Sequence, residues 1–264
     1  IQDHPMKLTQ LIQDGPIGTI VLDNSSKHNA LSHQLVTEVM QCLKELEEAK
    51  ARVVVLRAAP ASKVWSAGHD INELPEDGRD PLGWNDPLRE LVRTIEMFHA
   101  PVIAMIHGGV WGGAVEVVLA CDIIIATPDA TFAVTPAKLG VPYNVSGMMT
   151  FMSAASLRIV KELAFTATPI SATRAEHVGM INHVVAAEDI EAFTQAMAGT
   201  IAANAPLSIS VMKEQLRVLA GAKPLTPRGF EKVQGLRRVV YDSQDYHEGI
   251  RAFREKRKPR FTGN

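Results

Sequence analysis

The hydrophobic and polar positions of the first 150 residues follow two periods in turn. Short apolar runs bounded by turn residues predict strands at 17–22, 52–57, 102–107, 123–125 and 131–134. Apolar positions three and four residues apart predict helices that follow the capping residue Ser32 and that span 86–98 and 112–121. Strands that alternate with helices at this spacing favour a layered α/β domain with right-handed crossovers.

Strand signals become sparse after about residue 150. A short helix capped by Ser171 and closed by Gly179 is predicted there, and longer helical patterns follow at 187–203, 206–220 and about 242–258. We therefore divide the chain into an α/β core, 1–150, and a helical C-terminal region, 151–264. A region this apolar must pack against its own core or against a neighbouring subunit.

Composition excludes several classes of protein. Hydrophobic residues make up 46% and charged residues 21% of the chain, with a net charge of −2, which is typical of a globular protein and argues against bulk nucleic-acid binding. The sequence has neither a run of about 18 apolar residues nor a secretory signal pattern at its start. We expect a cytoplasmic protein with neither nucleic acid nor membrane as a partner.

The cysteines and histidines do not point to a metal site. Cys42 and Cys121 lie far apart in apolar contexts, which predicts free buried thiols and suits a reducing compartment. The nine histidines show no HxxxH or HxH spacing, and no CxxC occurs. We therefore expect no metal ion.

The C-terminal end carries a run of cations: Arg251, Arg254, Lys256, Arg257, Lys258 and Arg260. One interpretation is a solvated helix end, where positive charge interacts favourably with the helix dipole. The other is a binding site for a phosphate-bearing ligand. The residues by themselves leave both open.

Two glycine-containing turns carry the strongest chemical signal. Ser66–Ile71 and Gly108–Gly113 each follow an apolar strand and leave backbone N–H groups free. Two such turns can direct two N–H donors at one oxygen, which stabilises a developing oxyanion without a charged side chain. This arrangement predicts chemistry at a carbonyl group.

Four motifs, taken in their order along the chain, are typical of a known family. They are Asn29–Ser32, Ser66–Ile71, Gly112–Glu116 and Ala120–Asp122. They resemble the enoyl-CoA hydratase/isomerase (crotonase) superfamily, from about residue 15 to the C-terminus. The resemblance implies a spiral of repeated ββα units followed by a helical C-terminal region, a homotrimer or a dimer of trimers, and an acyl-CoA ligand. It also implies that the N–H groups of His69 and Gly113 form the oxyanion hole.

The resemblance separates subgroups of that superfamily. Its hydratases add water between two glutamates, of which Glu116 matches the first, whereas the second falls on Pro136, which cannot transfer a proton. Instead, Val141–Asn144, Gly78–Pro81 and Glu255–Pro259 resemble the subgroup that decarboxylates methylmalonyl-CoA. This implies conversion of methylmalonyl-CoA or malonyl-CoA to propionyl-CoA or acetyl-CoA and CO₂, without a cofactor. A hydratase/isomerase or a thioester hydrolase is the alternative, and a non-catalytic RNA-binding member is a more remote one.

Decarboxylation of a malonyl-type thioester needs no base, because the electron pair comes from the breaking C–C bond. It needs a stabilised enolate and a carboxylate held with that bond perpendicular to the thioester plane. Tyr143 is our candidate for the orienting hydrogen bond, unless its hydroxyl lies in solvent. For His69 we expect a role for the backbone N–H. Glu116 either protonates the enolate or serves as a structural hydrogen-bonding group.

The remaining ligand contacts are implied by the resemblance. The turn residues Ala67, Gly68, His69, Asp70 and Ile71 would line the pantetheine and adenine side, and Thr135 would lie near the acyl group. Lys256 and Phe253 would approach the nucleotide from the C-terminal helix. Lys27 is a candidate phosphate partner by its position.

Overall fold

The structure is a computed structural model that describes residues 7–75, 83, 86–220 and 227–262. Its strands are β1 (Thr9–Asp14), β2 (Ile17–Leu22), β3 (Val53–Ala58), β4 (Val64–Ser66), β5 (Val102–Ile106), β6 (Gly109–Trp111), β7 (Ile123–Ala126), β8 (Thr131–Ala133), β9 (Ile170–Ser171) and β10 (His183–Val184). Its helices are α1 (His33–Glu48), α2 (Pro87–Met97), α3 (Gly113–Ala120), α4 (Val145–Ala154), α5 (Leu157–Thr166), α6 (Ala172–His177), α7 (Ile190–Ala203), α8 (Pro206–Ala220), α9 (Pro227–Tyr241) and α10 (Gln244–Arg254).

The described strands form two sheets. The larger has the order β1-β2-β3-β5-β7-β10, and its pairs are parallel except for β1 with β2. The smaller has the order β4-β6-β8-β9, with parallel pairs except for β8 with β9. Parallel neighbours require crossover connections, and here helices supply several of them.

The ββα repeat expected from the resemblance is present. Each unit places its first strand in the large sheet and its second in the small one, and then continues into a helix: β3, β4 and α2, followed by β5, β6 and α3. β7 and β8 repeat the pattern ahead of α4. The chain therefore advances as a spiral, and each turn adds one strand to each sheet.

Burial explains why the central strands and helices could be predicted from the sequence. All five residues of β5 are buried, as expected of a parallel strand covered on both faces. In α1, the hydroxyl of Ser32 accepts a hydrogen bond from the N–H of Leu35, and an apolar stripe from Leu35 to Leu46 faces the core. α3 is buried almost throughout, although it contains one charged residue, Glu116.

The predicted strands and helices of the core are confirmed to within a few residues, as is the cap at Ser171. The prediction missed β1, the three-residue strands β4 and β6, and the helices α4, α5 and α9. Strand signals are sparse after residue 150, and the strands β9 and β10, which each extend a sheet, were not predicted there. Strands of two or three residues are too short to show a period.

Gly78–Pro81, part of the subgroup resemblance, lies outside the described residues. Within the described ranges, no helix combines the length and the apolar character that a membrane crossing requires.

Candidate active site

A cleft opens where the parallel strands β4, β6 and β8 end. Neighbouring parallel strands bring their carboxyl ends to one edge of a sheet, so the three segments that follow them meet there. The cleft is lined by Ala67, His69, Ile71, Leu74, Leu88, Gly112, Gly113, Thr135, Pro136, Leu139, Val141 and Tyr143. Most of these side chains are apolar, as in typical small-molecule sites.

The turn after β4 is held by the Asn29–Ser32 motif. The buried Asn29 side chain donates to the carbonyl of Trp65 at 3.0 Å, and the carbonyl of Asn29 accepts from the hydroxyl of Ser66 at 2.7 Å. The N–H of Leu31 donates to the carbonyl of Gly68 at 2.8 Å. These bonds fix the backbone that presents His69 to the cleft.

The two glycine turns lie directly against each other. Gly68 has a φ of +87°, and a Cβ placed on it would collide with the carbonyl oxygen of Trp111 and lie 2.9 Å from the nitrogen of Gly113. A Cβ on Gly113 would lie 3.7 Å from the nitrogen of His69. The close approach at Gly68 requires glycine, and it brings the backbone nitrogens of His69 and Gly113 near each other in two residues that line the cleft.

The side chain of His69 is bound at both ring nitrogens. Nε2 lies 3.0 Å from Oδ2 of Asp86, and Nδ1 lies 3.1 Å from the carbonyl oxygen of Asp70. Asp86 also caps α2, because its Oδ1 accepts from the N–H groups of Leu88 and Arg89. Burial lowers the pKa of His69, but the hydrogen bond and charge of Asp86 outweigh it, so this pKa lies above its usual value.

Tyr143 of the cleft wall connects to two buried charged side chains behind it. The hydroxyl of Tyr143 donates to Oε2 of Glu116 at 2.8 Å, and Arg89 forms an ion pair with Oε1 of the same carboxylate. Glu116 is fully buried and Arg89 is 4% exposed. The pair forms because α2 packs against α3, which turns Arg89 of one helix toward Glu116 of the other.

Burial also shifts the titration of this cluster. The pKa of Tyr143 is raised well above its usual range by burial, against the smaller opposing effect of the Arg89 charge. The pKa of Arg89 is lowered by burial. The Tyr143 hydroxyl therefore keeps its proton at neutral pH and remains a hydrogen-bond donor.

The C-terminal helices pack against residues of the cleft wall. Tyr241 of α9 and Tyr246 of α10 are buried together with Leu74 and Val141. The hydroxyl of Tyr246 donates to the carbonyl of Pro75 at 2.8 Å. Gly249 of α10 packs so closely on Leu139 that a Cβ would collide with the Leu139 carbonyl.

Most of the predicted site residues come together. The cleft is lined by Ala67, His69, Ile71, Gly113, Thr135 and Tyr143, and Pro136 lies among them. Gly68 forms the back of the turn, Asp70 caps the single 3₁₀ turn that follows, and Glu116 lies behind Tyr143. Lys27, Phe253 and Lys256 are exposed and do not line the cleft.

The basic C-terminal run is partly neutralised by Glu248. This carboxylate pairs with Arg251 and Arg257 and accepts from the N–H of Arg260 at 2.9 Å. The Arg257 and Arg251 side chains hold the pKa of Glu248 well below its usual range. Within the described ranges, no group of three or more histidine, cysteine or acidic side chains is placed to hold a metal ion.

Sequence reasoning missed two residues of the site. Asp86 was assigned to the start of a helix, and its Asp-Pro pattern is typical of a cap, but its contact with His69 is tertiary. Arg89 lies three residues before Val92 of the apolar face of α2. A cation at the edge of such a face is the signal that could have indicated a buried ion pair.

Comparison with known proteins places this geometry in a family. The family model for enoyl-CoA hydratase/isomerase matches residues 13–264. The chain belongs to the enoyl-CoA hydratase/isomerase family. This confirms the resemblance of the motifs and the fold expected from it.

Within the family, the chain is similar to proteins named methylmalonyl-CoA decarboxylase. The chain is 50% identical over 248 residues to methylmalonyl-CoA decarboxylase of Escherichia coli, covering 94% of this chain and 95% of that protein. A solved structure of methylmalonyl-CoA decarboxylase in complex with 2-nitronate-propionyl-CoA is 49% identical, with a TM-score of 0.96 over 97% of this chain and 99% of that one. Another, complexed with 2S-carboxypropyl CoA, is 48% identical with a TM-score of 0.96, covering 99% of this chain and 100% of that one.

Proposed function

We propose that this chain decarboxylates methylmalonyl-CoA, or malonyl-CoA, to propionyl-CoA or acetyl-CoA and CO₂. The observation that carries the proposal is an apolar cleft in which two turns lie against each other, one containing His69 and the other Gly113. Pro136 occupies the position of the second acid of a hydratase. The similarity to methylmalonyl-CoA decarboxylases over nearly the whole chain supports it.

The oxyanion hole supplies the main stabilisation. The thioester oxygen accepts hydrogen bonds from the N–H groups of His69 and Gly113, which strengthen as the enolate forms. Loss of one such donor typically costs about 10²–10³-fold in rate. The electron pair of the breaking C–C bond flows into the thioester carbonyl, so the reaction requires neither a base nor a cofactor.

Tyr143 orients the carboxylate that leaves. In the structure its hydroxyl donates to Glu116. On binding, the hydroxyl turns its proton to the substrate carboxylate, while Arg89 continues to neutralise Glu116. This bond holds the breaking C–C bond perpendicular to the thioester plane, and the apolar walls favour loss of the charged group as neutral CO₂.

Glu116 acts as a structural group. Both of its oxygens are engaged, one by Arg89 and one by Tyr143. Its bond to Tyr143 positions the phenol ring until the hydroxyl turns to the substrate, and water supplies the proton that replaces CO₂ on the α-carbon. The same pairing disfavours hydration, in which Glu116 would have to hold and activate a water molecule.

The coenzyme A portion of the substrate extends from the cleft along Ala67–Ile71. The acyl group lies near Thr135. Lys27, Phe253 and Lys256 lie outside the cleft, where the exposed nucleotide of the ligand would be. In this arrangement Lys27 and Lys256 contact phosphate groups and Phe253 covers the adenine.

The chain assembles as a homotrimer or a dimer of trimers in the cytoplasm. Exposed apolar side chains on α8 support an assembly, because Leu207 is 82% exposed, Leu216 68% and Leu219 71%. Sedimentation equilibrium would test this, and a monomer at micromolar concentration would contradict it.

The decisive experiment mixes the purified protein with racemic methylmalonyl-CoA, without biotin, metal or nucleotide, and follows CO₂ and propionyl-CoA. We expect stoichiometric release of both and a large loss in Tyr143→Phe, about 10- to 100-fold in kcat for a hydrogen bond to a charged group. Hydration of crotonyl-CoA without CO₂ release would instead support a hydratase. RNA binding with steep salt dependence would support the non-catalytic alternative.

A further inference from the structure

The side chain of His69 makes two contacts that a neutral imidazole cannot make together. Its Nδ1 faces the carbonyl oxygen of Asp70, and its Nε2 faces the carboxylate of Asp86. A carbonyl oxygen accepts hydrogen bonds and never donates them. A neutral imidazole has one donor and one acceptor, whereas imidazolium has two donors.

Asp86 is itself held in place by backbone donors. Its Oδ1 lies 3.0 Å from the N–H of Leu88 and 3.4 Å from the N–H of Arg89, at the start of α2. The N-terminus of a helix favours a negative charge. Because Oδ1 is occupied by backbone donors, Oδ2 remains to accept a hydrogen bond from His69.

Other charged groups around the imidazole act in the same direction or are paired elsewhere. Glu73, on the turn that follows His69, adds negative charge near the imidazole and accepts a hydrogen bond from the N–H of His33. His33, Glu73, His69 and Asp86 line one surface depression. Arg89 of α2 is paired with Glu116. The side chains of His69 and Asp86 are 15% and 9% exposed, so solvent screens their attraction only weakly.

We propose that His69 and Asp86 form an ion pair that ties the oxyanion-hole turn to the start of α2, which makes Asp86 a positioning residue. The inference rests on the decarboxylation proposed above and adds a role for the His69 side chain beyond its backbone N–H. The tether matters because the N–H and the imidazole belong to the same residue. Fixing the ring at both nitrogens restrains the backbone that directs the N–H at the thioester oxygen.

The pair also implies a pH dependence with a definite sign. The raised pKa of His69 means that the charged, tethered form persists to a higher pH than in an ordinary histidine. As pH rises through that pKa, one of the two contacts loses its proton and the tether weakens. Activity therefore falls on the alkaline side.

Asp86→Asn is the sharpest variant. Asparagine caps a helix as well as aspartate does, so α2 keeps its start while the negative charge is removed. Glu90→Gln is the matched control, since it removes an exposed carboxylate from the same first turn of α2. We expect kcat to fall about 10- to 100-fold in Asp86→Asn with little change in KM, because misdirected oxyanion donors act on the transition state.

The pH profile and a direct titration complete the test. In Asp86→Asn the alkaline limb of kcat/KM moves to lower pH, whereas Glu90→Gln keeps the wild-type profile. Carbon-13 NMR of Cε1-labelled histidine, with the His69 signal assigned by its absence in His69→Gln, reports the charge without substrate. We expect a His69 pKa above the ordinary value of about 6.5 in the wild type and a lower one in Asp86→Asn.

Three results would overturn the inference: wild-type kcat and pH profile in Asp86→Asn, equal losses in Asp86→Asn and Glu90→Gln, or a His69 pKa at or below its ordinary value. An enzyme without decarboxylase activity whose His69 still titrates high would refute the proposed function and leave the ion pair established. An active decarboxylase with neutral His69 would refute this inference alone.

Discussion

The hydroxyl of Tyr143 donates a 2.8 Å hydrogen bond to Glu116, the acidic residue at the position where hydratases of this family are expected to hold water. Arg89 binds the other oxygen of the same carboxylate. A residue that the sequence presents as a candidate acid or base is therefore enclosed between a cation and a hydrogen-bond donor. This relationship separates the proposed decarboxylase from a hydratase more directly than the substitution at Pro136 does.

The ion pair predicts the stability of Glu116 variants. Glu116→Ala leaves the Arg89 charge buried without its partner and should lower the free energy of unfolding by about 3–5 kcal/mol. The double variant Glu116→Leu with Arg89→Met removes both charges and should recover much of that loss. Urea denaturation followed by circular dichroism measures both. A single variant as stable as the wild type would contradict the buried pair.

The close contact of the two glycine turns predicts a loss of activity in Gly68→Ala. The added methyl would push against the Trp111 carbonyl and the Gly113 nitrogen and would separate the oxyanion donors. We expect kcat to fall by about 10² in a decarboxylase assay. Gly179→Ala is the control, because Gly179 has a similar φ of +75° but open space around it. It should cost about 1–2 kcal/mol of stability for the left-handed backbone and leave kcat unchanged. Equal kcat values in the two variants would argue against an oxyanion hole at this contact.

Gly147 of α4 sets the position of Tyr143. A Cβ there would overlap the Tyr143 ring and lie 3.0 Å from Oε2 of Glu116, so Gly147→Ala should displace the hydroxyl and lower kcat about tenfold or more. Gly199→Ala in α7 provides the comparison, since nothing lies within 4 Å of its added Cβ. It should raise stability by about 0.5–1 kcal/mol through helix propensity, with no change in rate. A fully active Gly147→Ala enzyme would remove Tyr143 from the mechanism.

The ion pairs of Glu248 with Arg251 and Arg257 should anchor the C-terminal segment that follows α10. Glu248→Gln removes the charge that holds Arg251 and Arg257, so trypsin should cleave after Lys256 and Arg257 faster. KM should rise while kcat stays near the wild-type value. Glu255→Gln should change cleavage less, because Glu248 still holds Arg257. Since the pKa of Glu248 is lowered, this contribution is present above the ordinary glutamate pKa. It is lost only as pH falls through the lowered value, so the anchor should survive mild acid. Equal cleavage rates in all three proteins would show that Glu248 does not anchor the segment.

Local signals explain which parts of the fold could be predicted. The helix behind Ser32 and the strand β5 were found because a cap and an apolar period act between neighbours in sequence. β4 and β6 were missed because three residues cannot show a period. Their pairing depends instead on the long β3 and β5, which bring them side by side in the second sheet.

The same distinction between local and tertiary information applies to the residues of the candidate site. The sequence alone determined the two glycine turns, the acid at Glu116, the proline at Pro136 and Tyr143, because each is a residue type at a position within a motif. It did not determine what these side chains touch. The tertiary structure decided that Arg89 neutralises Glu116 and that Asp86 holds His69, since both contacts depend on where α2 crosses the turn after β4 and the buried helix α3. Residue type is local information, whereas the partner of a buried charge is set by how helices pack.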